Sequence, residues 1–171
     1  MLPVLGNRWL HVQAVAAKAR EAAAAVSPED RDLLVAAAWA HDIGYAPGLA
    51  RTGFHPIDGA RYVRQQGHEE LARIVAYHSG AQFEAEERGM VDDLAEFEPV
   101  DGPLIDALIY ADMTTGPAGQ AFTFDERIDE ILSRYPADDP VHRAISRSRP
   151  VLGEAIERIR QRLVASVDQP M

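Results

Sequence analysis

Cysteine and long apolar runs are both missing from this sequence of 171 residues. Without cysteine, disulfides and thiolate metal sites are excluded. A membrane-spanning helix needs about 20 consecutive apolar residues, whereas the alanine-rich stretches here are interrupted by Arg, Glu or Asp. The sequence therefore predicts a protein with no membrane partner.

Basic residues are scarce and scattered. The chain has 17 Lys and Arg residues against 27 Asp and Glu residues, which gives a formal net charge of −10. Because no basic cluster offsets this charge, we expect no nucleic-acid partner. The first residues also lack the basic region and the apolar stretch of a signal peptide, so we expect no signal peptide and a cytoplasmic location.

The spacing of apolar residues predicts an all-α fold. Apolar positions recur every three or four residues, and no segment alternates as a strand does. A chain of this length, 47% hydrophobic, is large enough for one domain over residues 1–171 with its own core. Breaks at Pro and Gly predict helices at 8–26, 28–43, 56–66, 69–79, 104–114 and 125–134, and C-terminal helices that end at about residue 167.

The segment 84–101 departs from this pattern. Eight acidic residues stand there against the single base Arg88, which predicts a loop with at most one weak helix. One hypothesis makes the segment a lid over a site. The plainer alternative is a solvated, mobile surface excursion.

Four ionisable residues fall on apolar helix faces. His11, His41, His78 and Asp112 each lie three, four or seven residues from apolar neighbours. A single buried histidine is usually a core residue bonded to a backbone carbonyl, but an unpaired buried carboxylate costs several kcal/mol. Lys18 is the only lysine, and no arginine shares these stripes. A cation is therefore the predicted partner of Asp112.

His41 and Asp42 form a natural pair of ligands at the end of the second predicted helix. The backbone can bend at a last helical turn, so both side chains can reach one centre. Imidazole and carboxylate donors suit iron, manganese, cobalt, nickel or zinc, whereas calcium prefers oxygen alone.

The order of these residues resembles the signature of the HD-domain superfamily of metal-dependent phosphohydrolases. His11, the pair His41-Asp42 and Asp112 are similar to its His…His-Asp…Asp pattern, and they lie on separate predicted helices. The resemblance covers His11 to Asp112 and implies a single helical bundle with a ligand-bearing core at 7–116. Apolar residues at helical spacing predict a helical extension at 125–167. The extension either caps this core or pairs with another copy of the chain.

Two further histidines, His55 and His78, lie where superfamily members with two metals carry additional ligands. The ligand set that the resemblance implies is His11, His41, Asp42 and Asp112 for the first ion, and His55 and His78 for the second, with Asp42 bridging. It implies two divalent transition metals, with iron or manganese favoured and cobalt, nickel or zinc as alternatives. The plainer interpretation makes His55 a helix cap and His78 a core residue.

Four other residues are candidates for substrate binding or catalysis. Arg8 lies one helical turn before the first ligand, and Arg51 and Arg61 flank the His55 segment, so each could bind a phosphate with two parallel hydrogen bonds. Asp58, three residues after His55, could orient a water or accept a proton. The alternatives are ordinary surface arginines and a first-turn acid that stabilises a helix N-terminus.

The expected reaction is hydrolysis of a phosphoester or phosphoanhydride bond in a small nucleotide-like substrate. Two cations about 4 Å apart, bridged by Asp42, would share the attacking hydroxide. Dinuclear-iron oxygenases of the same superfamily carry a similar ligand set but add substrate-positioning residues before the first ligand. The ten residues before His11 contain neither Tyr nor Glu, which favours hydrolysis. A non-catalytic nucleotide sensor is a third hypothesis, and it would be expected to have lost ligands.

Overall fold

Helices make up most of residues 2–167, the range that the computed structural model describes, and this confirms the all-α prediction. Within that range no strand forms, and an isolated antiparallel bridge joins Thr115 and Ala121. The helices are α1 (Leu2–Ala22), α2 (Arg31–Ala40), α3 (His55–Gln65), α4 (Glu69–Tyr77), α5 (Ala81–Arg88), α6 (Val91–Leu94), α7 (Pro103–Met113), α8 (Phe124–Arg134) and α9 (Pro140–Val167). None of the described helices is long and apolar enough to cross a membrane.

The apolar side chains gather in two clusters. The larger cluster joins α1, α2, α7, α8 and α9, and Leu34, Leu108 and Ile156 lie at its centre. The smaller cluster joins α3, α4, α5 and α6 around Phe54 and Phe97. Long α9 packs against α5, α7 and α8, and against the turn that begins at His78, so the C-terminal extension contacts two of the segments that carry predicted ligands.

The first two helices differ from their predicted limits. The structure starts α1 at Leu2 and ends it at Ala22, before a 3-10 turn. Pro28 opens a separate 3-10 turn, Pro28–Asp30, so α2 begins only at Arg31. A proline lacks the N–H that a helix interior needs, and its ring fits the first turn instead.

The prediction of a loop at 84–101 is wrong. This segment contains most of α5 and all of α6. Several of its acidic side chains pair with arginines of other helices. Glu87 lies 2.7 Å from both Arg143 and Arg147 of α9. Asp93 lies 2.7 Å from Arg61 of α3. These ion pairs therefore hold α5 and α6 against the neighbouring helices, α3 and α9.

Candidate metal centre

The six predicted ligands come together at the ends and inner faces of five helices. His11 lies within α1, the pair His41-Asp42 follows α2, His55 opens α3, His78 follows α4, and Asp112 lies near the end of α7. All are buried except His55, which is half-buried.

Gly44 is the local feature that brings Asp42 beside His55. It lies in the 3-10 turn Ile43–Tyr45, which packs on the first turn of α3. A Cβ at position 44 would collide with the carbonyl oxygen of His55 and lie 2.7 Å from the amide nitrogen of Gly59. The absence of a side chain therefore permits the close approach of the two backbones.

Backbone carbonyls fix the orientation of three imidazoles. In each ring Nδ1 lies at hydrogen-bond distance from a carbonyl oxygen, so a neutral ring carries its proton there and leaves the Nε2 lone pair free. The acceptors are Gly116 for His11 (2.9 Å), Ala38 for His41 (2.8 Å) and Val75 for His78 (2.6 Å). This is the arrangement expected of metal-binding histidines.

These Nε2 atoms face carboxylate oxygens and each other. The Nε2 atom of His11 lies 3.1 Å from Oδ1 of Asp112. That of His55 lies 3.4 Å from Oδ1 of Asp42 and 3.2 Å from Nε2 of His78. The cluster thus brings lone pairs towards one another, and a cation is the group that such a set accepts.

The orphaned Nε2 atom of His41 supports the same conclusion. It is fully buried and has no hydrogen-bond partner in the described part of the chain. The nearest carboxylate oxygens, from Asp42 and Asp112, lie 3.6 and 3.8 Å away. An unsatisfied buried polar atom is costly, and a metal ligand needs a lone pair of this kind.

Two groups of donors are close enough to hold metal ions, and they share one residue. His11, His41 and Asp42 form the first, and Asp42, His55 and His78 form the second, with the donor atoms of each group within 4.8 Å of one another. Asp112 borders the first group through the contacts given above. The shared carboxylate of Asp42 places the two groups side by side.

Charges in the cluster keep both aspartates ionised. Burial raises the pKa of Asp42, but His41, His55 and Arg8 outweigh burial and hold the pKa well below its ordinary value. Burial also raises the pKa of Asp112, and His11, His41 and Arg127 outweigh it in the same way. The carboxylates are therefore ready to bind a cation near neutral pH.

The histidines do not share one protonation behaviour. Burial, with neighbouring imidazoles, lowers the pKa of His55 and of His78. Burial lowers the pKa of His11 too, but the hydrogen bond and charge of Asp112 raise it above its ordinary value. His55 and His78 are consequently neutral at pH 7, as metal ligands must be.

Although the sequence places no arginine on the apolar stripes of the predicted ligands, Arg8 reaches the cluster and contacts a buried carboxylate. Its Nη1 donates to Oδ2 of Asp42, and its guanidinium lies 3.6 Å above the ring of Tyr45. The Tyr45 ring in turn stacks on His55, with 4.0 Å between ring centroids. A phosphate-binding candidate from the sequence is thus also a partner of the central carboxylate.

A cavity of about 390 Å³ opens beside the cluster. Arg8 lies in its wall, together with five of the predicted ligands: His11, Asp42, His55, His78 and Asp112. Arg51 and Arg61 do not line it: Arg51 is exposed, and Arg61 is bound to acids of α6 and its following turn. The structure therefore brings one of the three candidate arginines to the site.

Asp58 also lies away from the cavity wall. Its buried carboxylate accepts hydrogen bonds from the backbone amides of Arg51 (2.9 Å) and Thr52 (3.1 Å). These bonds hold the loop that leads into α3. In the structure Asp58 therefore stabilises this loop. It does not lie at the cluster, where it was expected to orient a water.

The comparison with protein families gives one decisive match. The model of the family described as HD domain matches residues 8–112 of the chain. The chain belongs to the HD-domain family. No characterised protein and no solved structure matches it significantly.

The family match accounts for the metal-binding character of the cluster. HD domains bind divalent metals, and the match of this HD domain contains all six predicted ligands. It ends at Asp112, so α8 and α9 lie outside it. The family model therefore does not include the residues of α8 and α9 that line the cavity.

Several residues of the cavity wall were not predicted as site residues, among them Tyr45, Ser79 and Arg127. Tyr45 stacks on His55, Ser79 donates its hydroxyl hydrogen to Oδ2 of Asp112, and Arg127 lines the cavity from α8. Tyr45 and Ser79 lie in short turns without periodicity. Arg127 comes from a helix whose position in space has no signal in the sequence.

Proposed function

We propose that this HD domain is a metal-dependent phosphohydrolase that cleaves a phosphoester or phosphoanhydride bond of a small nucleotide-like substrate. The observation that carries the proposal is the position of Asp42, which is shared by two donor groups in the wall of a cavity of small-molecule size. Phosphate chemistry of this kind commonly uses two adjacent metals.

The metals would be two divalent transition ions, with iron or manganese favoured because the donors are imidazoles and carboxylates. His11, His41, Asp42 and Asp112 would hold one, and Asp42, His55 and His78 the other. When bound, the ions supply an activated water and neutralise phosphate oxygens. The remaining steps depend on the protein's own side chains.

Arg8 and Ser79 are the side chains that prepare the site. Arg8 binds one oxygen of Asp42 and lines the cavity, so its other guanidinium nitrogens can bind phosphate oxygens of a substrate. Ser79 holds Oδ2 of Asp112, which leaves Oδ1 facing His11. Each contact orients one carboxylate so that a defined oxygen faces the histidines.

The test is a screen of nucleotides, dinucleoside polyphosphates and simple phosphoesters in air and under strict anaerobiosis, with phosphate release and oxygen consumption both recorded. Hydrolysis needs no oxygen, so equal turnover is expected in both atmospheres, and manganese should replace iron. Asp112→Ala should abolish turnover.

Two outcomes would contradict the proposal. Oxygen uptake coupled to product formation, with no anaerobic turnover, would make the protein a dinuclear-iron oxygenase. Nucleotide binding with no turnover of any compound in either atmosphere would make it a sensor.

A further inference from the structure

The face of α8 that lines the cavity carries charge along its length. Residues at steps of three and four, the spacing of one helix face, all lie in the cavity wall. They are Arg127, Glu130, Ile131, Arg134 and Tyr135. At 1.5 Å of rise per residue, Arg127 and Arg134 are about 10 Å apart along the helix axis.

The charges of the side chains on this face do not sum to zero. Nη1 of Arg127 lies 2.6 Å from Oε2 of Glu130, and Nε of Arg134 lies 2.6 Å from Oε1 of the same carboxylate. Two guanidinium groups therefore share one carboxylate. The group keeps an excess of one positive charge in the cavity wall.

Arg127 is the less satisfied of the two arginines. It is 8% exposed, and its Nε atom is fully buried without a hydrogen-bond partner in the described part of the chain. A buried guanidinium is costly unless its donors are used. Arg127 also shares the cavity wall with Asp112 and acts on that carboxylate through its charge.

The geometry points to a second anion site formed by Arg127 and Arg134, so that the substrate carries an anionic group separated from the phosphate that is cleaved. This inference rests on the proposed function for the placement of that phosphate at the His–Asp cluster. Ile131 and Ile145 line the same cavity, so a substrate bound there meets apolar surface as well.

The charge of the whole wall agrees with such a ligand. Three arginines (Arg8, Arg127 and Arg134) stand against four carboxylates (Asp42, Glu84, Asp112 and Glu130). The protein alone therefore has one excess negative charge there. Two bound divalent cations would reverse the sign and leave a site that attracts a ligand with several negative charges.

Isothermal titration calorimetry with non-hydrolysable phosphonates tests this site without turnover. The probes are phosphonopropionate and propylphosphonate, which differ by a terminal carboxylate in place of a methyl group. With the full chain as purified and its metal content measured, we expect phosphonopropionate to bind about tenfold more tightly, since a charge-assisted hydrogen bond contributes that much.

Three variants test which side chains cause the preference for phosphonopropionate over propylphosphonate. Arg127→Met should bring the ratio of the two affinities close to one, and its metal content is measured alongside because the charge of Arg127 acts on Asp112. Glu130→Gln removes the competing carboxylate, so it should enlarge the preference, and this variant tests the site even where Arg127→Met folds poorly. Arg149→Met, which replaces an exposed arginine paired with Asp125, is the matched control and should change neither affinity.

Equal affinities for the two probes in the wild-type chain would overturn the second anion site, as would a preference that survives Arg127→Met and is unaffected by Glu130→Gln. Binding of neither phosphonate overturns it as well. A carboxylate preference together with no hydrolysis of any phosphorylated compound would support the site and contradict the proposed function alone.

Discussion

Asp42 is the residue that both donor groups share. One of its carboxylate oxygens accepts a hydrogen bond from Arg8, and the other lies 3.4 Å from Nε2 of His55, so side chains from separate elements meet there. The position of a residue on a helix face does not show which side chains of other elements contact it. The contact of Arg8 with Asp42 joins residues 34 positions apart, and no spacing rule indicates it.

The buried carboxylate of Asp58 should stabilise the loop that leads into α3. Asp58→Ala removes the acceptor of the Arg51 and Thr52 amides, so it should lower the free energy of unfolding by about 2 kcal/mol. That corresponds to a melting temperature about 4–8 °C lower, measured by calorimetry. Because Asp58 does not line the cavity, metal content should remain that of the wild type.

Asp129→Ala, at an exposed position, is the control for Asp58→Ala and should leave the melting temperature within about 1 °C. A variant Asp58→Ala that melts normally but loses turnover would return Asp58 to the catalytic role expected from its distance to His55.

Helices and turns were predictable to different degrees. The limits of α3, α4, α7 and α8 follow from Pro, Gly and apolar spacing, and observed ends lie within about two residues of those predicted. The helices α5 and α6 were not predicted, because the arginines that neutralise their acids come from α3 and α9. Charge density alone cannot distinguish a solvated loop from a helix with distant ionic partners.

The close packing of the 3-10 turn on α3 should depend on Gly44. Gly44→Ala forces the 3-10 turn away from α3, because its Cβ would collide with the His55 carbonyl. We expect a loss of about 3 kcal/mol, and hence a melting temperature about 6–12 °C lower, with weaker metal binding. Differential scanning calorimetry and metal analysis give the two readouts.

Gly48→Ala is the matched control, since a Cβ at position 48 meets nothing within 4 Å. It should melt within about 1 °C of the wild type. Equal stability of Gly44→Ala and Gly48→Ala would mean that the approach of the turn to α3 does not position Asp42 and His55.

On the scale of the whole molecule, the predicted metal ligands join elements that are far apart in the sequence. They come from α1, the end of α2, α3, the end of α4, and α7, so one centre links both apolar clusters. The family and the ligand order were recognisable from the sequence. The contribution of α8 was not, because it depends on how the C-terminal helices pack over the ligand-bearing ones.

Removal of metal should therefore destabilise the entire fold. A ligand present at a thousand times its dissociation constant stabilises the folded state by about 4 kcal/mol, so chelation should lower the melting temperature by about 8–16 °C. Adding the metal back should restore it. An unchanged melting temperature after verified metal removal would show that the ions do not link the helices.

Metal analysis of the chain, purified without chelator and without added metal, is the sharpest test of the proposed dinuclear centre. We expect about two first-row transition ions per chain for the wild type and about one after His55→Ala or His78→Ala. Asp42→Ala should lose most of both, because Asp42 belongs to both donor groups. His68→Ala, at an exposed position, should keep both. Two ions retained by Asp42→Ala, or none in the wild type, would contradict the account.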